Sequence, residues 1–235
     1  TNSSTIPRES DAVIYTHAGP EIAVASTKAF LTQVVATYLI GLYLGQVMGT
    51  LNERQIETLY NEMLELPAKI EQILETVEPL RELTRSFADS TSVLFLGRHV
   101  GYPVALEGAL KLKELAYMHA EGFAGGELKH GPIALIDQGT PVIAIVPNTH
   151  ENGLDEKMLS NIQEVRARGA KVIAIAAEGT EVPGAAHVIR IPNAPQLLQP
   201  VLTTVPLQVF AYEMAVTRGN DVDQPRNLAK SVTVE

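Results

Sequence analysis

Glu107, Lys111 and Glu114 stand at i, i+4 and i+7 in the stretch "ALEGALKLKELAYMHAE", so a helix would carry all three on one face. A lysine between two carboxylates reads in two ways. It is the ladder of a solvated salt-bridged face, or it is a functional face, which needs a ligand within reach. Sixteen residues after Glu114, His130 sits inside "GELKHGP", where flanking glycines and a proline specify the backbone tightly. Imidazole is the side chain that moves protons near neutral pH, and a constrained turn would fix its aim. Lys230 lies in "PRNLAKSVTVE", a run too apolar and β-branched for a solubilising tail. A lysine enclosed by such a tail is an amine available for imine chemistry. Near the start, "AGPEIAVASTKAF" sets Ser26, Thr27 and free backbone amides at the mouth of a long helix, with Ser26 expected as its N-cap. That arrangement favours an anion. His119, Glu121 and His130 match no standard metal-ligand spacing, so no metal is expected.

Those side chains need a frame. "AVIYT" (12–16) reads as a short strand leading into an uncharged helix that begins near Ser26. Between Lys28 and Glu53 no residue is charged, long enough for a bilayer. Thr32, Gln33, Thr37 and Gln46 interrupt that run, so a helix buried in a core or a subunit interface is the better expectation. From Leu51 to Ser90, glutamates alternate with Leu and Ile at helical spacing, giving a solvated amphipathic helical pair broken near Pro67 and Pro79. Continuous apolar strands follow at 91–96, 140–147, 170–177 and 187–192, separated by helices from Pro103, over 153–168, and up to Gly219. Alternation of apolar strands with helices is the pattern of a doubly wound parallel sheet covered on both faces. Leu106, Ala109 and Leu110 are expected to pack on that sheet, away from the charged triplet. Glu114 lies about three turns down its helix and must face a neighbouring cleft or subunit.

Bulk properties narrow the classes of function. The 235 residues are 46% hydrophobic and 19% charged, with a formal charge of -9. That balance argues against nucleic acid or an anionic membrane as the main partner. Without cysteine there is no disulfide or thiolate chemistry, and a cytoplasmic location fits. Residues 1–50 look like the second half of a module whose first half is missing, which makes the chain read as a fragment.

"AGPEIAVASTKAF", "GYPVALEGALKLKELAYMHAEGFAGGELKHGPIALI" and the closing "DQPRNLAKSVTVE" together resemble the isomerase part of the glucosamine-6-phosphate synthase family, the glutamine–fructose-6-phosphate transaminases. The resemblance runs through the whole chain in order. It implies an α/β fold: an SIS-type (sugar isomerase) doubly wound parallel sheet with flanking helices, preceded by the C-terminal half of a second such module. The corresponding division is 1–50 for that half-module, 51–90 for a helical linker, 91–219 for the complete SIS module and 220–235 for an active-site tail. By the same resemblance Glu114 is the base that moves a proton between C1 and C2 of the sugar. His130 opens the ring in the neighbouring subunit's site, and Lys230 forms the imine with open-chain fructose 6-phosphate. Val24, Ala25, Ser26, Lys111 and Ala229 match substrate-contacting positions. No organic cofactor is implied. The implied partners are fructose 6-phosphate, glucosamine 6-phosphate, a second copy of the chain and a glutaminase domain; nucleic acid and membrane are not among them. The family's serine- and threonine-rich phosphate turn is absent, so the chain by itself is expected to be catalytically silent. A related SIS-type isomerase or deglycase, and a non-catalytic phosphosugar-binding module, are the alternatives.

Overall fold

The computed structural model describes residues 4–149 and 153–231 of the chain. Contacts divide them into two compact units. One contains the residues up to Ile22 together with Ser26–Tyr60, the other Ala23–Ala25 together with the chain from Asn61 onward.

In the first unit a short helix α1 (Thr5–Glu9) precedes α2 (Lys28–Val47). The strand expected at 12–16 does not form; those residues are exposed and lack regular structure. A lone apolar segment has no ladder to join, and β-branching cannot replace the missing partner. Ser26 is not the N-cap of α2 either. Thr27 holds that position, and the capping carboxylate comes from Glu21, whose Oε1 accepts from the backbone N–H groups of Thr27 (2.9 Å) and Ala29 (3.3 Å). An acidic oxygen at a helix start satisfies free amides and complements the helix dipole. Of the two settings expected for α2, the core of its own chain is excluded, because Gly45 is its one buried residue among those described.

The acidic stretch folds as three helices rather than a pair: α3 (Glu53–Leu64), α4 (Leu66–Glu75) and α5 (Val77–Ser86). Pro67 and Pro79 sit in first turns, where a missing N–H costs nothing, so the breaks fall just before each proline. These helices are more than a solvated surface. Leu66, Ile73, Leu80 and Leu83 are buried, and Arg81 of α5 makes a bidentate pair with the buried Glu213 of the last helix at 3.0 and 3.1 Å.

The sheet of the second unit has five strands: β1 (Ser92–Gly97), β2 (His119–Ala124), β3 (Pro141–Ile145), β4 (Lys171–Ala177) and β5 (His187–Ile191). They are all parallel, in the order β2-β1-β3-β4-β5. Helices α6 (Gly101–Ala116) and α7 (Leu154–Arg166) follow β1 and β3, and α8 (Gln199–Thr217) follows β5. Strands buried on both faces need no polar alternation, which explains why β1, β3 and β4 are nearly continuous apolar runs. One face buries Leu94, Leu96, Val142 and Val172 with Met158, Ile162 and Val165 of α7. On the other, α6 and α8 pack closely: a Cβ built at Gly108 of α6 would lie 2.7 Å from Leu207 of α8 and 3.0 Å from Phe95 of β1. Strand β2 was not expected from the sequence. It is an edge strand carrying Glu121 and Gly122, so it lacks the buried apolar signature.

Candidate functional site

Gly97 closes β1 with no room for a side chain, since a Cβ there would run into the Gly101 carbonyl at the start of α6. The turn is therefore as tight as backbone allows, and it fixes the axis of the helix that carries the charged triplet. Along α6 the residues turned inward are Val104, Ala105, Gly108, Ala109, Leu112, Leu115 and also Lys111. Leu106 and Leu110, expected against the sheet, are instead 44% and 41% exposed. The triplet is thus on the inward side, and the solvated salt-bridge reading is overturned.

Lys111 is the pivot. Only 2% exposed, it donates to Glu114 Oε2 at 2.6 Å and lies 3.4 Å from Glu107 Oε1. Glu107 Oε1 is within ion-pair reach but makes no well-formed hydrogen bond. Burial pushes the Glu107 carboxyl above the usual carboxylate range. Lys111 opposes that rise, and the negative charge of Glu114 adds to it. A buried ammonium shared by two carboxylates holds Glu114 at a fixed position while leaving its second oxygen available.

Glu114 opens onto a cleft of about 620 Å³, lined by Leu110, Lys113, Tyr117, Met118 and His119 on one side and by Arg226, Asn227 and Leu228 on the other. The C-terminal tail therefore forms one wall of the cleft that holds the carboxylate. It is tied down from several directions. Arg218 donates to the Ala116 carbonyl and Asn220 to the Leu115 carbonyl, both at 3.0 Å, satisfying groups left open at the end of α6. Val24 N–H donates to the Asp223 carbonyl at 3.0 Å. Lys230 Nζ donates to the Ala23 carbonyl at 3.0 Å and the Val24 carbonyl at 3.4 Å.

The positions expected from the sequence thus fall into groups. Lys111 and Glu114 are joined directly. Val24 and Lys230 meet, beside the buried Ala25, across more than 200 residues of chain. Lys230 and Ala229 are exposed here, so the enclosure expected of the lysine is not seen. Ser26 belongs to the first unit. His130 ends a 3-10 turn (Leu128–His130), with its Nδ1 2.8 Å from Glu127 Oε2, and its side chain is 73% exposed. It does not line the Glu114 cleft. Gly131 beside it has φ +146°, a conformation L-residues avoid, which accounts for the glycine in "KHGP". Tyr117 and Arg226, both cleft-lining, were not anticipated. They are 109 positions apart, and no local pattern announces their contact. Among the described residues, no group of three His, Asp or Glu could hold a metal.

The SIS domain family model matches residues 86–218. The whole chain is 65% identical over 238 aligned positions to a protein named glutamine–fructose-6-phosphate aminotransferase (isomerizing) from Streptomyces coelicolor, spanning 39% of that protein's length. Among solved structures it is similar to the C-terminal domain of glucosamine-fructose-6-phosphate aminotransferase from Francisella tularensis, with TM-score 0.90 and 40% identity over 95% of this chain and 63% of that one. A glucosamine-6-phosphate deaminase from Thermotoga maritima matches less closely, with TM-score 0.62 and 26% identity over 92% of this chain and 59% of that one.

Proposed function

The chain belongs to the SIS domain family, and from that premise we propose that it is the isomerase portion of a glutamine–fructose-6-phosphate aminotransferase, making glucosamine 6-phosphate from fructose 6-phosphate and glutamine-derived ammonia. The observation that carries the reading is Glu114, anchored at 2.6 Å by a buried lysine in the wall of a cleft whose other wall is the tail leading to Lys230. An aldose–ketose shift needs one carboxylate that takes a proton from one carbon and returns it to its neighbour. Glu114 is assigned that role. Its bond to Lys111 keeps it oriented, and its open side faces the cleft.

Lys230 supplies the amine. Its attack on the ketone carbon of the open-chain sugar expels water and leaves an imine, which acidifies the adjacent C–H and lets ammonia take the place of the ketone oxygen. Val24, Ala25, Ser26 and Ala229 contact the sugar phosphate. His130 performs ring opening, and its exposure, away from the Glu114 cleft of its own chain, suits delivery to a second copy. We therefore take the working form to be a cytoplasmic homodimer, with the ammonia supplied by a glutaminase domain. No cofactor takes part. This chain alone should turn over little substrate, because the hydroxyl-rich turn that grips a sugar phosphate in such enzymes has no counterpart in it.

The test is a chimera in which the N-terminal remainder of the Streptomyces coelicolor relative precedes this chain, assayed for conversion of fructose 6-phosphate to glucose 6-phosphate. Glu114→Gln keeps the shape and removes the ionisable group. Turnover should fall well over tenfold with sugar binding retained; a smaller loss, under about 1.4 kcal/mol of barrier, excludes Glu114 as the base. The likeness to the Thermotoga maritima deaminase supports a second reading, a deaminating or isomerising SIS enzyme. Product analysis with glutamine present separates the two.

A further inference from the structure

Tyr117 is the first residue past α6 and adopts the left-handed conformation, φ 55° and ψ 33°. A bulky residue seldom takes this shape, and glycine would take it without cost. The side chain explains why tyrosine stands there. Its hydroxyl accepts the backbone N–H of Arg226 at 2.7 Å, and its ring lies 4.3 Å under the Arg226 guanidinium. Two independent contacts thus tie one side chain to one tail residue. Both partners line the cleft that contains Glu114, three positions before Tyr117. The tail then turns at Asn227, also left-handed at φ 62°, and reaches Lys230 three residues later.

We propose that Tyr117 is a positioning residue, a latch that holds the tail in register with the Glu114 helix so that Lys230 leaves the cleft at a fixed point. The functional part of this claim rests on the reading of Lys230 as the imine-forming amine; the structural part does not. The neighbouring ties from Arg218 and Asn220 run to α6 carbonyls and hold the chain before residue 221. Beyond Pro225, Tyr117 ties the stretch that leads to Ala229 and Lys230 back to the end of α6. Its position at the end of the same helix couples the placement of carboxylate and amine.

Amide hydrogen exchange on this chain tests the structural part. Tyr117→Phe removes the acceptor and keeps the ring, so the Arg226 amide should exchange at least tenfold faster while the Ile173 amide in β4 stays unchanged. Arg226→Ala, at an exposed site, removes the stacked cation from the other side and guards against a folding defect at Tyr117; it should speed exchange at Asn227 and Leu228. Exchange within twofold of the parent chain in both variants overturns the latch. The functional part uses the chimera with fructose 6-phosphate and borohydride. The Lys230 amine condenses with the sugar ketone, losing one water, and hydride from borohydride reduces the imine to a stable secondary amine. Tyr117→Phe should lower both trapping at Lys230 and kcat at least fivefold, with the KM for fructose 6-phosphate held within threefold. Unchanged trapping overturns the positioning role. A parent chimera that traps no sugar at Lys230 sinks the proposed function instead, and exchange then decides the latch alone.

Discussion

At the scale of single residues, the charged triplet behaves as a buried unit. Lys111 neutralises two carboxylates at 2.6 and 3.4 Å with almost no exposure of its own. Lys111→Met should destabilise the chain by about 3 to 5 kcal/mol, because two like charges are left enclosed together; urea denaturation reads the loss, and a change below about 1 kcal/mol would contradict the pairing. Glu107 gives a pH signature. Its carboxyl is raised by burial, so the folded state holds its proton at pH values where the unfolded chain has released it. Stability from this group is present at low pH and is lost as pH rises from the ordinary carboxylate value through the raised one. The melting temperature of Glu107→Gln minus that of the parent chain should therefore grow from pH 4 to pH 7, with Lys111 still held by Glu114. A difference that stays flat or shrinks counts against the raised carboxyl. The spacing of these residues was legible in the sequence, but the direction they face was not. Reasoning from amphipathicity turns charges to water, and the exposed Leu106 and Leu110 show that the helix makes the opposite choice.

At the scale of elements, legibility followed burial for most of the sheet, although the partly exposed edge strand β5 was readable too. Strands β1, β3 and β4 are enclosed on both faces and were readable as apolar runs; edge strand β2 and the Glu21 cap were not, since each depends on a partner away from its own segment. The apolar segment at 12–16 failed for the converse reason, a strand signal with no ladder to join. The junction of β1 and α6 is where an element-scale change would reach the site. Gly97→Ala places a methyl group against the backbone of Gly101 and Tyr102, which cannot rotate away as a side chain can. The start of α6 must shift, and overpacking of this sort costs about 1 to 3 kcal/mol. Thermal denaturation should show the loss. In the chimera, isomerase activity should fall further than stability alone explains, because α6 carries Glu114 and Lys111 together. A variant of parental stability and full activity would mean that the turn does not fix the helix.

For the whole molecule, the two long apolar helices have different fates. Helix α8 spends its apolar residues inside its own unit, burying Val201, Leu202, Leu207, Phe210 and Met214. Helix α2 instead leaves its apolar residues outside, so the subunit-interface setting expected for it stays open. Ile40, Tyr43, Leu44 and Val47 follow helical spacing, and they are 41%, 64%, 49% and 64% exposed. A contiguous apolar stripe of this kind marks an interaction surface more often than a solvated face. The helix also meets the length and composition of a membrane span, so the occupant has to be decided by experiment. The enzyme reading favours protein, since the chain spans 39% of its Streptomyces coelicolor relative and His130 is assigned to a neighbouring copy. The chain at micromolar concentration should sediment as a dimer, and Tyr43→Lys with Val47→Glu should shift it towards monomer. Both sites are exposed, so the fold should survive, and an unchanged far-ultraviolet spectrum checks that. A parent chain that stays monomeric, or that partitions into neutral lipid vesicles through the same residues, would remove α2 as the surface bringing His130 to a second active site.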